Sequence, residues 1–383
     1  MVILMNKRKI LFLTGTRADY GKIKSLMKKI ENSNKLELYI FVTGMHMLTK
    51  YGATWKEIEK DGFQNLYKFI NQQGYFQMDL SLSTTILGFS NYVQELKPDL
   101  IVVHGDRLEA LAGAIVGAFN NIKVAHIEGG EVSGTIDESI RHAITKFSHI
   151  HLVSNEDAKK RVQQLGEKEE SIFVIGSPDI DIMQSDELPS IDTVKEYYNI
   201  NFEKFGIMMY HPVTTELDVL QNNIKTVVDS VLESNNNYVI IYPNNDEGSS
   251  IILNEYKRFE NNSKIKIYPS IRFEYFLTLL KECQFIIGNS SAGIREAGVY
   301  GIPAIDIGSR QKNRYDIIRS KNIIHVNENK VEILNAIKIA LKSNFKPISL
   351  FGNGKSDERF LEIIESETIY NISIQKNFVD VDY

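Results

Sequence analysis

Two groups of ionisable side chains follow two short apolar segments within residues 98–146. Residues 100–103 lead into the sequence HGDR at 104–107, and residues 123–127 lead into Glu128, two glycines and Glu131. In open parallel sheets, ligands bind beyond the carboxyl ends of the strands, so both groups are expected at one edge of a sheet. Carboxylates beside His and Arg at such an edge favour acid/base chemistry on an anionic substrate.

Glu128 is the strongest catalytic candidate in this stretch. It follows an apolar strand directly and has no helix to cap, and a buried carboxyl group there would have a perturbed pKa. Asp106 has a simpler interpretation as the N-cap of a helix that begins near Leu108, and Glu109 could face solvent. Asp137 could complement a helix dipole.

The sequence favours a structural role over a catalytic role for Glu138. Thr135 and Glu138 have the spacing of a capping box, so Glu138 is interpreted as structural. His149 and His151 share a strand face without a third ligand at suitable spacing, so they are interpreted as structural and not as a metal site. No metal and no cofactor is expected.

The segment TRADYGK at 16–22 follows the first predicted strand. With Gly15 before it and Gly21 within it, only two of the glycines of a dinucleotide fingerprint are present, which disfavours an NAD site. Arg17 and Lys22 could hold an anion at the helix N-terminus, but taken alone they are better interpreted as solvated surface charges.

The second half contains two segments suited to phosphate binding. GNSSAGIREAG at 288–298 follows an apolar strand and opens a predicted helix, so Ser290 and Ser291 are expected to bind phosphate and Glu296 a ribose diol. Arg310 is a further candidate anion partner. YHPVTT at 210–215 contains His211, for which a phosphate site and an ordinary turn are equally good interpretations.

Composition limits the class of protein. The 383 residues carry a net charge of -5 and a single cysteine, which gives no support for a nucleic-acid partner and fits a reducing cytoplasm. No signal peptide and no membrane span is predicted, so a soluble cytoplasmic protein without a membrane partner is expected.

Short apolar strand patterns alternate with helical patterns along the whole chain, six in each half. This alternation predicts an α/β protein with two doubly wound parallel-sheet domains and an active site in a cleft between them. The expected domains are residues 1–180, with the candidate catalytic carboxylates, and residues 200–345, with the candidate phosphate-binding segments. Residues 346–383 are expected to form a C-terminal helix and tail that pack back on the first domain.

A phosphate site and a carboxylate cluster together suit a nucleotide-activated sugar. The residues alone do not choose between glycosyl transfer, elimination and epimerisation. The runs quoted above, and the longer run from His104 to Lys146, resemble the hydrolysing UDP-N-acetylglucosamine 2-epimerases of sialic-acid biosynthesis over roughly residues 9–330. The segment HIEGGE at 126–131 favours the hydrolysing branch.

The resemblance implies a glycosyltransferase-B-like fold of two Rossmann-type domains and a homo-oligomer, a dimer or tetramer. It implies conversion of UDP-N-acetylglucosamine and water to N-acetylmannosamine and UDP, by anti elimination to a glycal followed by hydration. It also implies the site residues by motif. The proton-handling and diphosphate residues would be Asp106, Glu128, Asp137 and His211. The other substrate contacts would be Arg17, Asp19, Lys22, His46, Arg107, Asn244, Ser290, Ser291, Glu296 and Arg310.

Three alternatives stay open at this point. The same reaction could act on UDP-2,4-diacetamido-2,4,6-trideoxyglucose in legionaminic-acid synthesis, since the motifs do not reveal which groups meet C4 and C6 of the sugar. A UDP-sugar glycosyltransferase would need an acceptor groove. A sensor that binds UDP without turnover would have no need of the carboxylates.

Overall fold

The chain forms two compact units, each built around its own parallel sheet. The computed structural model describes residues 7–72, 77–132, 136–185, 188–311, 320–348, 351–352 and 354–380. The first unit comprises Met1–Glu131, Asp137–Ser185 and Phe351–Tyr383, and the second comprises Val132–Ile136 and Asp186–Leu350. The predicted α/β class with two doubly wound parallel sheets is therefore confirmed.

The sheet of the first unit has the strand order β3-β2-β1-β4-β5-β6-β7, with every pair parallel. Its strands are β1 (Arg8–Thr14), β2 (Leu36–Val42), β3 (Leu66–Lys68), β4 (Leu100–His104), β5 (Lys123–Ile127), β6 (Ile150–Val153) and β7 (Ile172–Val174). The sequence did not predict β3, because this edge strand has three largely exposed residues and no apolar pattern. Strand order reverses between β1 and β4, which is where doubly wound sheets bind ligands.

Helices cover the sheet of the first unit because each presents an apolar stripe to it. In α5, for example, the buried faces of Ile140 and Ile144 lie one turn apart. Through the first unit these helices are α1 (Arg17–Glu31), α2 (Trp55–Lys60), α3 (Met78–Leu96), α4 (Leu108–Phe119), α5 (Ile136–Phe147), α6 (Glu156–Gln164) and α7 (Pro178–Met183).

The second unit repeats the same topology, with the strand order β10-β9-β8-β11-β12-β13 and a reversal between β8 and β11. Its strands are β8 (Gly206–Met209), β9 (Tyr238–Ile241), β10 (Ile265–Tyr268), β11 (Phe285–Gly288), β12 (Ala304–Ile307) and β13 (Ile323–Val326). Its helices are α8 (Ile191–Tyr197), α9 (Leu217–Ser234), α10 (Ser249–Tyr256), α11 (Phe273–Glu282), α12 (Ser291–Ile294), α13 (Glu296–Tyr300) and α14 (Lys330–Ala340).

The C-terminal helices α15 (Ser356–Glu365) and α16 (Glu367–Asn371) belong to the first unit. Phe360, Ile364 and Ile369 are fully buried in the same hydrophobic core as β1 and α1. The side chain of Asp181 on α7 accepts a hydrogen bond of 3.0 Å from the backbone N–H of Ser356, which fixes the start of α15. In the part of the chain that the structure describes, no helix combines the length and apolar character that crossing a membrane requires.

Candidate active site

A charged bridge joins β1 to β4 at the reversal of strand order in the first unit. Asp19, in the first turn of α1, accepts hydrogen bonds from the hydroxyl of Thr14 (2.7 Å) and the backbone N–H of Gly15 (3.2 Å). Its other carboxylate oxygen lies 2.7 Å from Nδ1 of His104, the last residue of β4. The two strand ends are thus held together through an imidazole and a carboxylate.

The second ring nitrogen of His104, Nε2, lies beside Glu128. Nε2 of His104 lies 3.2 Å from Oε2 of Glu128, and the hydroxyl of Ser177 donates a hydrogen bond to Oε1. Burial lowers the pKa of His104, but its contacts with the carboxylates of Asp19 and Glu128 outweigh burial and raise the pKa to about 9. His104 is therefore an imidazolium at neutral pH, shared between two carboxylates.

The backbone of Glu128 is strained. Glu128 has a φ of 63° and is only 4% exposed. Left-handed backbone at a non-glycine residue costs about 1–3 kcal/mol and is found often at functional sites. Its N–H donates to the carbonyl of Leu152 (3.0 Å), and its own carbonyl accepts from Nη1 of Arg141 (2.8 Å). These bonds hold the strained residue at the end of β5.

Arg141 also contacts Asp106, the second carboxylate at this edge of the sheet. Its Nη2 forms an ion pair with Asp106, so that one buried guanidinium contacts both the Asp106 carboxylate and the backbone of Glu128. The interpretation of Asp106 as a helix cap is wrong, because Arg107 occupies the N-cap position of α4 and makes no side-chain cap bond. Asp137 is the second residue of α5 and is half-buried. The predicted capping box includes Thr135, which lies outside the described residues.

The basic candidates of the first unit are engaged in ion pairs, so their interpretation as solvated surface charges is wrong. Glu109, which was expected to face solvent, is 1% exposed. The pairs join Nε of Arg17 to Glu57 (2.9 Å), Nζ of Lys22 to Asp179 (3.0 Å) and Nε of Arg107 to Glu109 (3.3 Å).

His46 is fully buried, and its contact with substrate stays a prediction. Its Nε2 lies 3.1 Å from the hydroxyl of Thr14, and its Nδ1 lies 2.7 Å from the hydroxyl of Thr54. Burial lowers the pKa of His46 to about 3, so the ring is neutral. His46 orients the Thr14 hydroxyl, which in turn bonds Asp19.

His149 and His151 each have protein partners. Nδ1 of His149 accepts a hydrogen bond of 3.2 Å from the backbone N–H of Val124, and Nε2 of His151 lies 3.0 Å from Glu167. Among the residues that the structure describes, no group of three or more His, Cys, Asp or Glu side chains could hold a metal ion.

In the second unit, a neutral bridge joins β8 to β11 at the reversal of strand order. The side-chain amide of Asn289 accepts from the backbone N–H of His211 (2.7 Å) and donates to its carbonyl (2.9 Å). The backbone N–H of Asn244 donates to Nδ1 of His211 (3.0 Å). Because Nδ1 is an acceptor, the ring proton of His211 lies on Nε2, which is then a hydrogen-bond donor.

The residues after β11 depart from the predicted single helix. Ser290 caps α12, because its hydroxyl accepts a hydrogen bond of 3.3 Å from the backbone N–H of Ala292. However, α12 has only four residues, and the helical conformation is interrupted at Arg295 before α13 begins. Glu296 is therefore the first residue of a separate short helix. A four-residue helix has a small dipole, so anion binding here depends on the serine hydroxyls and nearby cations.

Arg310 supplies such a cation on the same side of the sheet. Nη1 of Arg310 donates to the carbonyl of Asn289 (3.2 Å), which also accepts from the side chain of Gln311 (2.7 Å). Glu296 and Arg310 are 3% and 8% exposed. The sequence predicted both residues but not Asn289, the buried side chain that connects His211 to this group.

Comparison with known proteins gives the same family at the level of sequence and of fold. A family model described as UDP-N-acetylglucosamine 2-epimerase matches residues 28–365. A UDP-N-acetylglucosamine 2-epimerase of Neisseria meningitidis serogroup B is 48% identical over 98% of this chain and 100% of its own. A UDP-N,N'-diacetylbacillosamine 2-epimerase (hydrolyzing) of Legionella pneumophila is 34% identical over 96% of this chain and 98% of its own.

Among solved structures, the UDP-GlcNAc 2-epimerase of Methanocaldococcus jannaschii, in complex with UDP-GlcNAc and UDP, superposes with a TM-score of 0.78. The match covers 93% of this chain and 99% of that one at 24% identity, and confirms the predicted glycosyltransferase-B-like fold. With the family model spanning most of the chain and a relative 48% identical over nearly its whole length, the chain belongs to the UDP-N-acetylglucosamine 2-epimerase family.

Proposed function

We propose that the chain is a hydrolysing epimerase that converts UDP-N-acetylglucosamine and water to N-acetylmannosamine and UDP, the first step of sialic-acid synthesis. The observation that carries the proposal is the pair of carboxylates at the ends of β4 and β5, where the guanidinium of Arg141 pairs with the Asp106 carboxylate and donates to the backbone carbonyl of Glu128. The 48% identical relative is named for UDP-N-acetylglucosamine, and the Legionella relative for hydrolysis. A cytoplasmic, homo-oligomeric enzyme without a metal is part of the same proposal.

The first step is anti elimination. A carboxylate of the group Asp106, Glu128 and Asp137 removes the proton from C2, the C2–H electron pair forms the C1–C2 double bond, and the C1–O bond breaks with its electrons leaving on UDP. Because C2–H is a weak acid, proton removal must be concerted with stabilisation of the leaving diphosphate.

The second step is hydration of the glycal. A different carboxylic acid of the same group delivers a proton to C2 from the opposite face, and water adds its oxygen to C1. The water gives up one proton to the carboxylate left by that acid, and the proton taken from C2 in the first step returns to solvent. Delivery from the opposite face inverts C2 and gives N-acetylmannosamine. Two carboxylates with different surroundings suit two proton transfers of opposite direction, and Asp106 and Glu128 differ in this way.

UDP binding is assigned to the second unit. The Nε2–H of His211 would donate to the diphosphate, with Ser290, Ser291 and Arg310 as further phosphate donors. Glu296 would accept from the ribose hydroxyls, and Asn244 would act near His211. In the first unit Arg17, Lys22 and Arg107 remain proposed substrate contacts, whereas Asp19 would act through His104.

A second candidate substrate is the UDP-activated 2,4-diacetamido sugar. The Legionella relative, named for such a sugar, is 34% identical to the chain, which supports this candidate less than the 48% identical relative supports UDP-N-acetylglucosamine. The site residues proposed here are common to both reactions.

Proton NMR of the purified protein with UDP-N-acetylglucosamine in D2O tests the proposal. We expect UDP and free N-acetylmannosamine that carries deuterium at C2. Turnover of the 2,4-diacetamido sugar nucleotide alone would move the assignment to the second candidate. Accumulation of UDP-N-acetylmannosamine would contradict hydrolysis, and an intact substrate in both assays would contradict the proposed reaction.

A further inference from the structure

We propose that His104 is a positioning residue that acts as a cation between Asp19 and Glu128, where it keeps the Glu128 carboxylate ionised and fixed in place. The inference rests on the proposed function, because it concerns one of the carboxylates assigned to proton transfer. It adds a residue that does not itself touch the substrate.

The hydrogen-bond geometry determines where the protons of His104 lie. Asp19 accepts from Thr14 and from the N–H of Gly15, and both donors are satisfied best by a carboxylate anion. Glu128 likewise accepts from the hydroxyl of Ser177. Each ring nitrogen of His104 therefore faces an acceptor, at 2.7 Å and 3.2 Å.

A neutral imidazole cannot serve both acceptors. It has one N–H, so either Asp19 or Glu128 would face a nitrogen lone pair at hydrogen-bond distance inside a buried site. An imidazolium donates a hydrogen bond to Asp19, places its positive charge 3.2 Å from a Glu128 oxygen, and leaves the three groups with a net charge of −1. The geometry thus favours the charged ring in spite of its burial.

Other charges near this group are balanced within their own pairs. Against the Asp19 side, Arg17 pairs with Glu57 and Lys22 with Asp179, and His46 is neutral. On the β5 side, burial lowers the pKa of His126 to about 3, with the neighbouring His104 contributing, and Arg141 pairs with Asp106. The two carboxylates in direct contact with His104 therefore dominate its protonation. The titratable and charged groups on the elements packed around His104 are Arg17, Asp19, Lys22, His46, Glu57, Asp106, Arg107, Glu109, His126, Glu128, Arg141 and Asp179, and Arg107 pairs with Glu109.

The effect on the reaction follows from the charge of the ring. An imidazolium beside Glu128 favours the carboxylate, so that Glu128 enters each turnover as an anion in a defined rotamer. Without the cation, the pKa of Glu128 would rise because a buried carboxylate loses its partner. Glu128 would then be protonated at pH values where the native enzyme works.

The direct test is NMR titration of the protein with 13C at Cε1 of its histidines, assigned by the signal that disappears in His104→Gln. We expect that signal to titrate near pH 9, and its midpoint to fall by at least about one pH unit in Glu128→Gln and in Asp19→Asn. A midpoint near 6.5 in the native protein, or one unchanged in both variants, would overturn the proposal. This test needs no substrate.

The kinetic test compares the pH dependence of kcat in native protein and His104→Gln, with His142→Gln as control. His142 forms an exposed pair with Glu138 on α5. In His104→Gln we expect the acid limb of kcat to move up by about one pH unit, with partial recovery of activity at high pH and UDP affinity within threefold. A uniform loss at every pH, with no shift of the limb, would indicate a merely structural role and overturn the proposal. If native protein turns over neither sugar nucleotide, the proposed function fails while the NMR result still decides the state of His104.

Discussion

In each unit, side chains connect the two strands at which the strand order reverses, and we call this connection the junction. The first unit uses ionisable groups for it, and the second unit uses a neutral amide. In the first unit, β1 and β4 are joined by the ionised bridge from Asp19 through His104 to Glu128. In the second unit, β8 and β11 are joined by the amide of Asn289 on the backbone of His211. An amide does not titrate, whereas the first bridge consists of groups that gain and lose protons. In the function we propose, the same topology holds a proton-transfer site in one unit and a UDP-binding site in the other.

The two histidines at these junctions illustrate the difference. Both ring nitrogens of His104 lie beside carboxylates, and the proposed charged ring donates a hydrogen bond to Asp19 and forms an ion pair with Glu128. His211 has a backbone N–H at Nδ1, which leaves Nε2 as its donor. The position of a histidine at a strand end therefore does not set its role; the groups on its two nitrogens do.

The largest expected effect comes from removing the charge at the end of the first bridge. Glu128→Gln keeps the shape of the side chain but cannot exchange a proton, so we expect kcat to fall by roughly 10³-fold, within the usual range for general acid–base groups. UDP affinity should stay nearly constant, because UDP binding is assigned to the other unit. Release of UDP under saturating substrate and calorimetry with UDP measure the two quantities.

Near-native turnover in Glu128→Gln would remove this residue from the mechanism. If turnover and UDP affinity were lost together, this would contradict the proposal that the first unit carries out proton transfer and the second unit binds UDP. Ser177→Ala is the matched variant, since it removes a neutral donor to the same carboxylate and should cost far less than the loss of the carboxylate itself.

The second largest effect concerns folding at the junction of the second unit. Gly288 has a φ of 136°, and a Cβ added there would lie 1.9 Å from the carbonyl oxygen of Met209 on the neighbouring strand. Gly288→Ala should therefore lower the free energy of unfolding by about 3 kcal/mol or more, through strain and overpacking. Urea unfolding measures the loss. Gly293→Ala is the control, because its added methyl group would meet its nearest neighbour at 3.5 Å, an ordinary contact. Equal stability of the two variants would contradict the close approach of β8 and β11.

The sequence was sufficient for the fold because the strands of buried parallel sheets are nearly continuous apolar runs. All six strands predicted in each half are present, and the missing element is β3, whose three residues are mostly exposed. The helix after β11 was predicted as continuous, and its break at Arg295 has no signal in the apolar pattern. Local patterns predict elements, but they do not predict breaks that depend on tertiary contacts.

The site was predictable only in part. Glu128 stands out in the sequence because its carboxyl group follows an apolar strand and has no helix to cap. No sequence pattern identifies its partner Ser177, which is 49 residues away. Asp19 and His104 are 85 residues apart and meet only because β1 and β4 are neighbours in the sheet. The pairing of Arg17 with the half-buried Glu57, and of Lys22 with the buried Asp179, likewise depends on tertiary structure. Sequence identifies reactive types of residue, whereas strand order decides which of them touch.

A smaller effect is expected from the two serine hydroxyls that we propose to bind phosphate. Ser290→Ala combined with Ser291→Ala should weaken UDP binding by roughly tenfold, because a hydrogen bond contributes about 0.5–1.5 kcal/mol. Ser290→Ala also removes the cap on the N–H of Ala292, so some stability is lost as well. Asn329→Ala is the control, since it removes the cap of α14, where Asn329 accepts from two backbone N–H groups. Unchanged UDP affinity in calorimetry would refute the placement of the diphosphate at these serines.

The smallest expected effect is a loss of stability in the first unit. Substitution of Gly105 tests the junction of this unit as substitution of Gly288 tests that of the second. Gly105 follows β4 with a φ of 74°, but a Cβ added there would meet no atom within 4 Å. Gly105→Ala therefore introduces backbone strain without a clash, and should cost only about 1 kcal/mol in urea unfolding, less if Asn replaces Ala. A loss as large as that of Gly288→Ala would mean that the backbone after β4 is packed as tightly as that of β11. A small loss would instead show that the first junction is held mainly by its side chains, the ones that carry charge.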